Sequence, residues 1–135
     1  MKSWNERLHS PRPHQVKLAP MNMAGMKEGQ IMLIPTALMV DEFIREIPAG
    51  TSMDIKTMRQ KMAGKNKAEI SCPITTGILL RIVAEATWED YEQGAPVSAM
   101  TPVWRVLDAT ATTTKKLSFD AQFLMDQRKK EGILE

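Results

Sequence analysis

The amino-acid sequence predicts a mainly helical α+β domain that contains a helix-turn-helix. Several segments carry apolar residues at three- and four-residue spacing, which is typical of amphipathic helices. Short apolar runs outside these segments have the composition of strands. Two helical segments, residues 54–63 and 73–92, follow one another across a short basic loop, as in a helix-turn-helix. At 135 residues, the chain is long enough to bury the core of one domain without a disulfide or a metal.

Residues 1–35 are predicted to form an arm that packs on a domain formed by residues 36–135. One or two helical turns are expected at residues 4–8, ended by the prolines that follow. The apolar runs at residues 16–18 and 30–34 can pair as strands, because proline and glycine turn signals separate them.

The domain itself is predicted to begin with a helix over residues 36–47, with Thr36 as its N-cap. A second helix follows from the N-cap Asp54 to about Ala63. Gly64 lies just beyond that end, where a left-handed residue often closes a helix.

The third helix is predicted from Pro73 to about Glu92, because proline is favoured at the first helical position. After a Gly-Ala-Pro break, residues 102–107 (PVWRVL) have strand composition and residues 108–114 are expected to form a loop. The last helix is predicted to begin near Ser118.

Composition limits the classes of function. The formal net charge is +2, which neither proves nor excludes a nucleic-acid partner. No apolar run approaches the ~20 residues that span a bilayer, and one cysteine cannot form an internal disulfide, so we expect a cytoplasmic protein without a membrane span. His9 and His14 have no second ligand pair, and no glycine-rich phosphate loop is present. We therefore expect no metal and no cofactor.

Four blocks of sequence occur in the order found in one known family. They are Ile47-Pro48-Ala49-Gly50, Thr75-Thr76-Gly77, Pro102-Val103-Trp104-Arg105-Val106 and the segment 127–133 (QRKKEGI). Over about residues 36–133 the chain resembles the DNA-binding domain of alkylguanine-DNA alkyltransferases and their alkyltransferase-like relatives. It is most similar to small bacterial proteins with Cys-Pro-x-Thr-Thr-Gly (residues 72–77) and Thr-Pro-x-Trp-Arg (residues 101–105) blocks. The resemblance implies a winged-helix domain with a role in DNA repair.

The chain departs from this family at the residues that carry its chemistry. Val103 stands at the position of the family's cysteine nucleophile, and Trp104 stands at that of its histidine. Neither side chain can accept an alkyl group or a proton, so alkyl transfer at this position is excluded. Ile55 aligns with the family's tyrosine and Ile74 with the arginine that fills the DNA stack. Both isoleucines either pack in the core or, at Ile74, act as an apolar wedge between bases.

Candidate DNA contacts lie at the helix-turn-helix. The basic side chains of its loop either contact phosphates or form a solvated loop; they are Arg59, Lys61, Lys65 and Lys67. Thr75 and Thr76 can donate hydrogen bonds to phosphate oxygens or simply cap the helix.

The resemblance also implies a pocket formed by Ile55, Val103, Trp104 and Arg105. Trp104 either fills this pocket, offers a stacking face to a base or has a structural role. Arg105 is expected to support the local structure.

Three functions remain open from the sequence. We favour non-catalytic binding of double-stranded DNA by a cytoplasmic bacterial protein, with recognition of alkylated or distorted DNA as a further expectation. The first alternative is a protein-interaction module that kept the fold and lost DNA binding. The second is a thiol-dependent enzyme that uses Cys72, whose predicted place at a helix start can activate a thiol. Cys72 can equally be a small, partly buried cap residue.

Overall fold

A computed structural model describes residues 3–133 and confirms a mainly helical α+β fold. The helices within these residues are α1 (Trp4–Leu8), α2 (Ala37–Arg45), α3 (Ile55–Lys65), α4 (Pro73–Glu92), α5 (Thr112–Lys115) and α6 (Gln122–Lys130). The strands are β1 (Gln15–Leu18), β2 (Ile31–Ile34) and β3 (Ile70–Ser71). The predicted caps at Thr36 and Asp54 are confirmed, since each side chain accepts a backbone N–H three residues later.

The three strands form one sheet in the order β1-β2-β3. The predicted pairing of the two apolar runs is confirmed, because β1 and β2 pair antiparallel and form a hairpin. β3 pairs parallel to β2, with Met32 opposite Ile70, and has only two residues. The next residue continues this contact, since the Cys72 N–H donates to the Leu33 carbonyl at 2.8 Å. The first turn of α4 is therefore anchored directly to β2.

The strand predicted at residues 102–107 is wrong. Val103–Arg105 form a single 3-10 turn, and the Val103 N–H donates to the Thr101 carbonyl at 2.7 Å. The consecutive side chains of Pro102, Val103 and Trp104 are all buried. A half-exposed strand would point alternate side chains to opposite faces, but this segment is enclosed by the core on more than one side.

Three further predictions, on the end of α3, on residues 108–114 and on the start of the last helix, are also wrong. Gly64 lies inside α3, and the left-handed conformation falls on Lys67 (φ 58°) after Asn66 caps the helix by donating from its side chain to Met62. Residues 108–114 are not all loop, because the Asp108 carboxylate accepts two backbone N–H groups and α5 follows. The last helix begins at Gln122 and not near Ser118.

Ser118 is instead held by a buried acid of α4. The Glu85 carboxylate is 1% exposed and accepts hydrogen bonds from the Ser118 N–H and hydroxyl. The Phe119 ring stacks on Trp88 at a centroid distance of 4.5 Å. These contacts attach the segment before α6 to the C-terminal half of α4. This segment therefore does not form part of α6.

The core surrounds α4, whose Leu80, Val83 and Ala86 are fully buried. Leu33 of β2 is fully buried in the same cluster. α1 also packs on α4, where the Asn5 side chain donates to the Ala86 carbonyl at 3.2 Å. The first 35 residues thus contribute side chains to the core of the following residues.

We predict that Leu33→Ala lowers the free energy of unfolding by about 3 kcal/mol, because it leaves a cavity in the common core. Urea denaturation followed by circular dichroism measures this change. Leu18→Ala on the same hairpin is the matched control, since that leucine is 66% exposed; it should change the value by no more than about 0.5 kcal/mol. Equal effects of the two substitutions would contradict this packing.

Candidate functional site

Three of the four sequence blocks meet at one carboxylate. Glu131 accepts hydrogen bonds from the Trp104 indole at 2.7 Å, the Arg105 guanidinium at 2.9 Å and the Gly50 N–H at 2.9 Å. Arg105 also donates to the Ile47 carbonyl at 2.7 Å. We call these five residues the Glu131 clamp. The clamp joins the end of α6 to the 3-10 turn and to the turn after α2.

The clamp keeps Glu131 ionised. Partial burial alone would raise the pKa of Glu131, but the hydrogen bonds from Arg105, Gly50 and Trp104 and the positive charge of Arg105 lower it to about 2. Gly50 is required by geometry, because its φ is +81° and an added Cβ would lie 3.3 Å from the Glu131 carbonyl oxygen. The clamp has a structural role, because its ion pair and hydrogen bonds join the ends of separate elements.

The four residues predicted to form a pocket are not assembled as a base-binding site. Val103 is fully buried, and Trp104 is 3% exposed with its indole N–H engaged, so it offers no stacking face. Arg105 supports the local structure through the clamp, as expected. Ile55 is partly buried against the core.

A cavity of about 280 Å³ does lie beside Trp104, and two arginines line it. Arg45 pairs with Asp41, and Arg105 pairs with Glu131. Because a carboxylate already neutralises each arginine, this cavity is a poor site for an anion.

The four predicted phosphate contacts lie in different environments. Arg59 is 5% exposed and donates to the carbonyls of Ser71 and Ala24, so its position corrects the expectation of an exposed loop residue. Lys65 pairs with Glu46 at 2.7 Å. Lys61 and Lys67 are exposed.

The start of α4 divides into a buried and an exposed face. Thr76 is fully buried, which removes it as a phosphate contact, while Thr75 is partly exposed. Ile74 is 57% exposed, so it does not pack in the core. Ile78, one turn further, is 59% exposed. Cys72 is the half-buried N-cap residue, and its use as a nucleophile stays a prediction.

The exposed face of α4 forms the floor of a groove between α1 and α5. We call it the α4 groove; its volume is about 610 Å³. Its lining residues are Trp4, Arg7, Pro73, Ile74, Gly77, Ile78, Arg81, Ile82, Thr112, Thr113 and Lys116. This lining holds three cationic side chains, and within residues 3–133 no carboxylate belongs to it.

The Trp4 ring contacts two of these cations, Arg7 and Arg81. The guanidinium of Arg7 lies 4.7 Å from the centre of the Trp4 ring, and that of Arg81 lies 5.2 Å from it. Such cation–π contacts hold a guanidinium in place without neutralising its charge. Arg81 also forms an ion pair with Glu85 at 3.5 Å, so a carboxylate compensates part of its charge; the same carboxylate accepts hydrogen bonds from Ser118.

The sequence could have shown part of this groove. Ile74, Ile78 and Arg81 recur at helical spacing and so share one face of α4. Arg7 and Lys116 come from distant segments, and only the packing of α1 and α5 places them there. No pattern in the sequence links them to α4.

No family model, curated protein or solved structure matches this chain at a significant level. Within residues 3–133, no helix has both the length and the apolar character needed to cross a bilayer. The same residues contain no group of three or more His, Cys, Asp or Glu side chains arranged to hold a metal ion.

We predict that Glu131→Gln removes a stabilisation on the order of 3 kcal/mol at pH 7, because the carboxylate is only 17% exposed and its folded pKa is about 2, below the ordinary 4.5. Because the pKa of Glu131 is lower in the folded than in the unfolded protein, its ionised form stabilises the fold at every pH above the unfolded pKa. The stabilisation is therefore complete above about pH 5 and is lost as the pH falls toward 2. Urea denaturation of both proteins between pH 7 and pH 3 measures it.

The difference in the free energy of unfolding between wild type and Glu131→Gln should become smaller as the pH is lowered. Glu46→Gln is the control, since that carboxylate is 65% exposed in its ion pair with Lys65; we expect a change of about 0.5 kcal/mol or less. A difference that stays constant from pH 7 to pH 3 would contradict the role of the Glu131 charge.

Proposed function

We propose that this protein binds double-stranded DNA through the α4 groove and catalyses no reaction on it. The observation that carries the proposal is the groove lining, which combines the exposed face of the first half of α4 with three cationic side chains, one of which (Arg81) is paired with Glu85. Within residues 3–133, no carboxylate belongs to this lining. A duplex presents closely spaced phosphates, and cationic side chains bind them by releasing counterions.

The charge pattern along α4 limits which part approaches DNA. Ile74, Ile78 and Arg81 lie in the first half of the helix, while Glu89, Asp90 and Glu92 lie in its last turn. The acidic end would repel phosphates. The first turns of α4 therefore face the duplex, with Arg7 and Lys116 placed on its backbone. Lys61 and Lys67, which are exposed in and just after α3, are further candidates for phosphate contacts.

The residues at the family's reactive position support binding without repair. Val103 and Trp104 carry no nucleophile or base, and both are buried. Extrusion of a base costs a few kcal/mol, and Ile74 has no hydrogen-bonding group to satisfy the orphaned partner base. We propose that the duplex is bound without base flipping. Recognition of alkylated or distorted DNA is a separate prediction, which the binding experiment below includes.

A second candidate function is a protein-interaction module. The observation that favours it is the exposure of Ile74 and Ile78, each more than half accessible on one helix face. An apolar floor with a cationic rim also suits an amphipathic helix that carries acidic side chains. The two functions differ in their response to DNA.

We predict that fluorescence anisotropy detects binding of a labelled duplex at low salt and weaker binding as salt rises. Replacing Arg7 and Lys116 together by glutamine should reduce the slope of log affinity against log salt by about two, or about one for each lost phosphate contact. Lys27→Gln, in the turn between β1 and β2, is a control that removes one positive charge outside the groove and should leave the slope unchanged. A duplex with one alkylguanine tests lesion recognition in the same assay.

Three results would contradict this proposal or its location. Absence of binding at low salt would exclude DNA binding, and a defined oligomer in light scattering would then favour the protein-interaction module. An equal loss of slope in Lys27→Gln would mean that the α4 groove is not the contact surface. A salt slope that is lost only in Lys61→Gln/Lys67→Gln would move the phosphate contacts to α3 and the turn after it.

A further inference from the structure

The side chains that α4 presents at its exposed turns are aliphatic. Ile74 and Ile78 are separated by one helical turn and are 57% and 59% exposed. Between them, Thr75 is partly exposed, Thr76 is fully buried and Gly77 has no side chain. The surface that would meet base edges therefore offers methyl groups and almost no hydrogen-bonding groups.

This surface is selective in the major groove of DNA. Each base pair presents hydrogen-bonding groups there, and thymine alone adds a methyl group. An isoleucine placed against guanine or cytosine would cover polar groups without replacing their hydrogen bonds to water, which is unfavourable. Against thymine, the same side chain buries one apolar group on another.

The spacing of Ile74 and Ile78 is compatible with contacts to two thymine methyl groups in the major groove. One helical turn advances about 5.4 Å along the helix axis, and successive base pairs are stacked about 3.4 Å apart. Two isoleucines one turn apart therefore reach methyl groups about two base-pair steps apart when the helix lies along the groove. The major groove, about 12 Å wide, admits an α-helix with its side chains.

The charges beside these isoleucines favour a nucleic acid as the occupant of the groove. Arg7 and Arg81 are held over the Trp4 ring, and Lys116 lies on the α5 side of the groove. Cations thus come from both flanking helices as well as from α4, which matches a duplex with a charged backbone on each side of the groove. An acidic helix is the competing occupant, and the test below separates it.

Resting on the proposed function, we infer that Ile74 and Ile78 read thymine methyl groups in the major groove, so that the preferred ligand is A·T-rich duplex DNA. The two isoleucines supply the sequence preference. The cations supply affinity that is independent of sequence.

The test compares two duplexes that differ only in methyl groups. One has thymine at its central A·T pairs, and the other has deoxyuridine at the same positions, so charge and base pairing are retained. Anisotropy titrations at one low salt concentration should show about fourfold weaker binding for each contacted methyl group that is removed. Wild type is compared with Ile74→Ala/Ile78→Ala, which is compatible with a helix because alanine has the highest helix propensity.

The double variant should bind both duplexes equally, because it has lost the groups that contact the methyls. Leu18→Ala is the control, since it removes an equally exposed aliphatic side chain from the β1–β2 hairpin, outside the groove; it should keep the full preference for thymine.

Each other outcome overturns a specific statement. Equal, salt-sensitive binding of both duplexes by wild type would overturn thymine reading and leave DNA binding in place. A preference for thymine that persists in the double variant would assign it to other residues and overturn the role of the isoleucines. No binding to either duplex would overturn both this inference and the proposed function, and would favour an acidic protein partner.

Discussion

The carboxylate of Glu131 connects three segments that are far apart in the sequence. It binds the turn after α2 through Gly50, the 3-10 turn through Trp104 and Arg105, and by its own position it fixes the end of α6. Arg128, one turn earlier in α6, donates to the Trp104 carbonyl at 2.6 Å. Without this charge, the partly buried guanidinium of Arg105 would lose its counterion and the three segments would lose their common contact. The packing of α2 and α6 around the 3-10 turn depends on it.

The clamp also uses two of the residues for which the sequence predicted a pocket, Trp104 and Arg105. Three of the four sequence blocks hold the clamp together, and the side chains of Val103 and Trp104 are buried. The exposed side chains that could contact a partner lie elsewhere, on the first half of α4 and on the helices beside it. In our account the fold thus holds α4 rigidly from behind, through β3 and the core, and leaves its outer face available to a partner.

The sequence predicted helix starts correctly where an N-cap residue or a proline marks the first turn. Thr36, Asp54 and Pro73 each mark a helix start that the structure confirms. The strand expected at residues 102–107 failed because apolar composition cannot distinguish a strand from a buried turn that is enclosed on several sides. The prediction that Arg59 is an exposed phosphate contact was wrong, because its guanidinium is buried against the backbone carbonyls of Ser71 and Ala24. Only the tertiary structure brings these carbonyls near it. The α4 groove could be predicted only in part, since Arg7 and Lys116 reach it through packing.

The three tryptophans provide the most direct test of the central claim, that the α4 groove is the binding surface and the clamp is structural. Trp4 lies in the groove, Trp88 in the aromatic cluster with Phe119, and Trp104 in the clamp. Their indole N–H signals can be followed separately by NMR while duplex DNA is added at low salt. Our account predicts a shift of the Trp4 signal, with the Trp88 and Trp104 signals unchanged. A shift confined to Trp104, or no shift at saturating DNA, would contradict it.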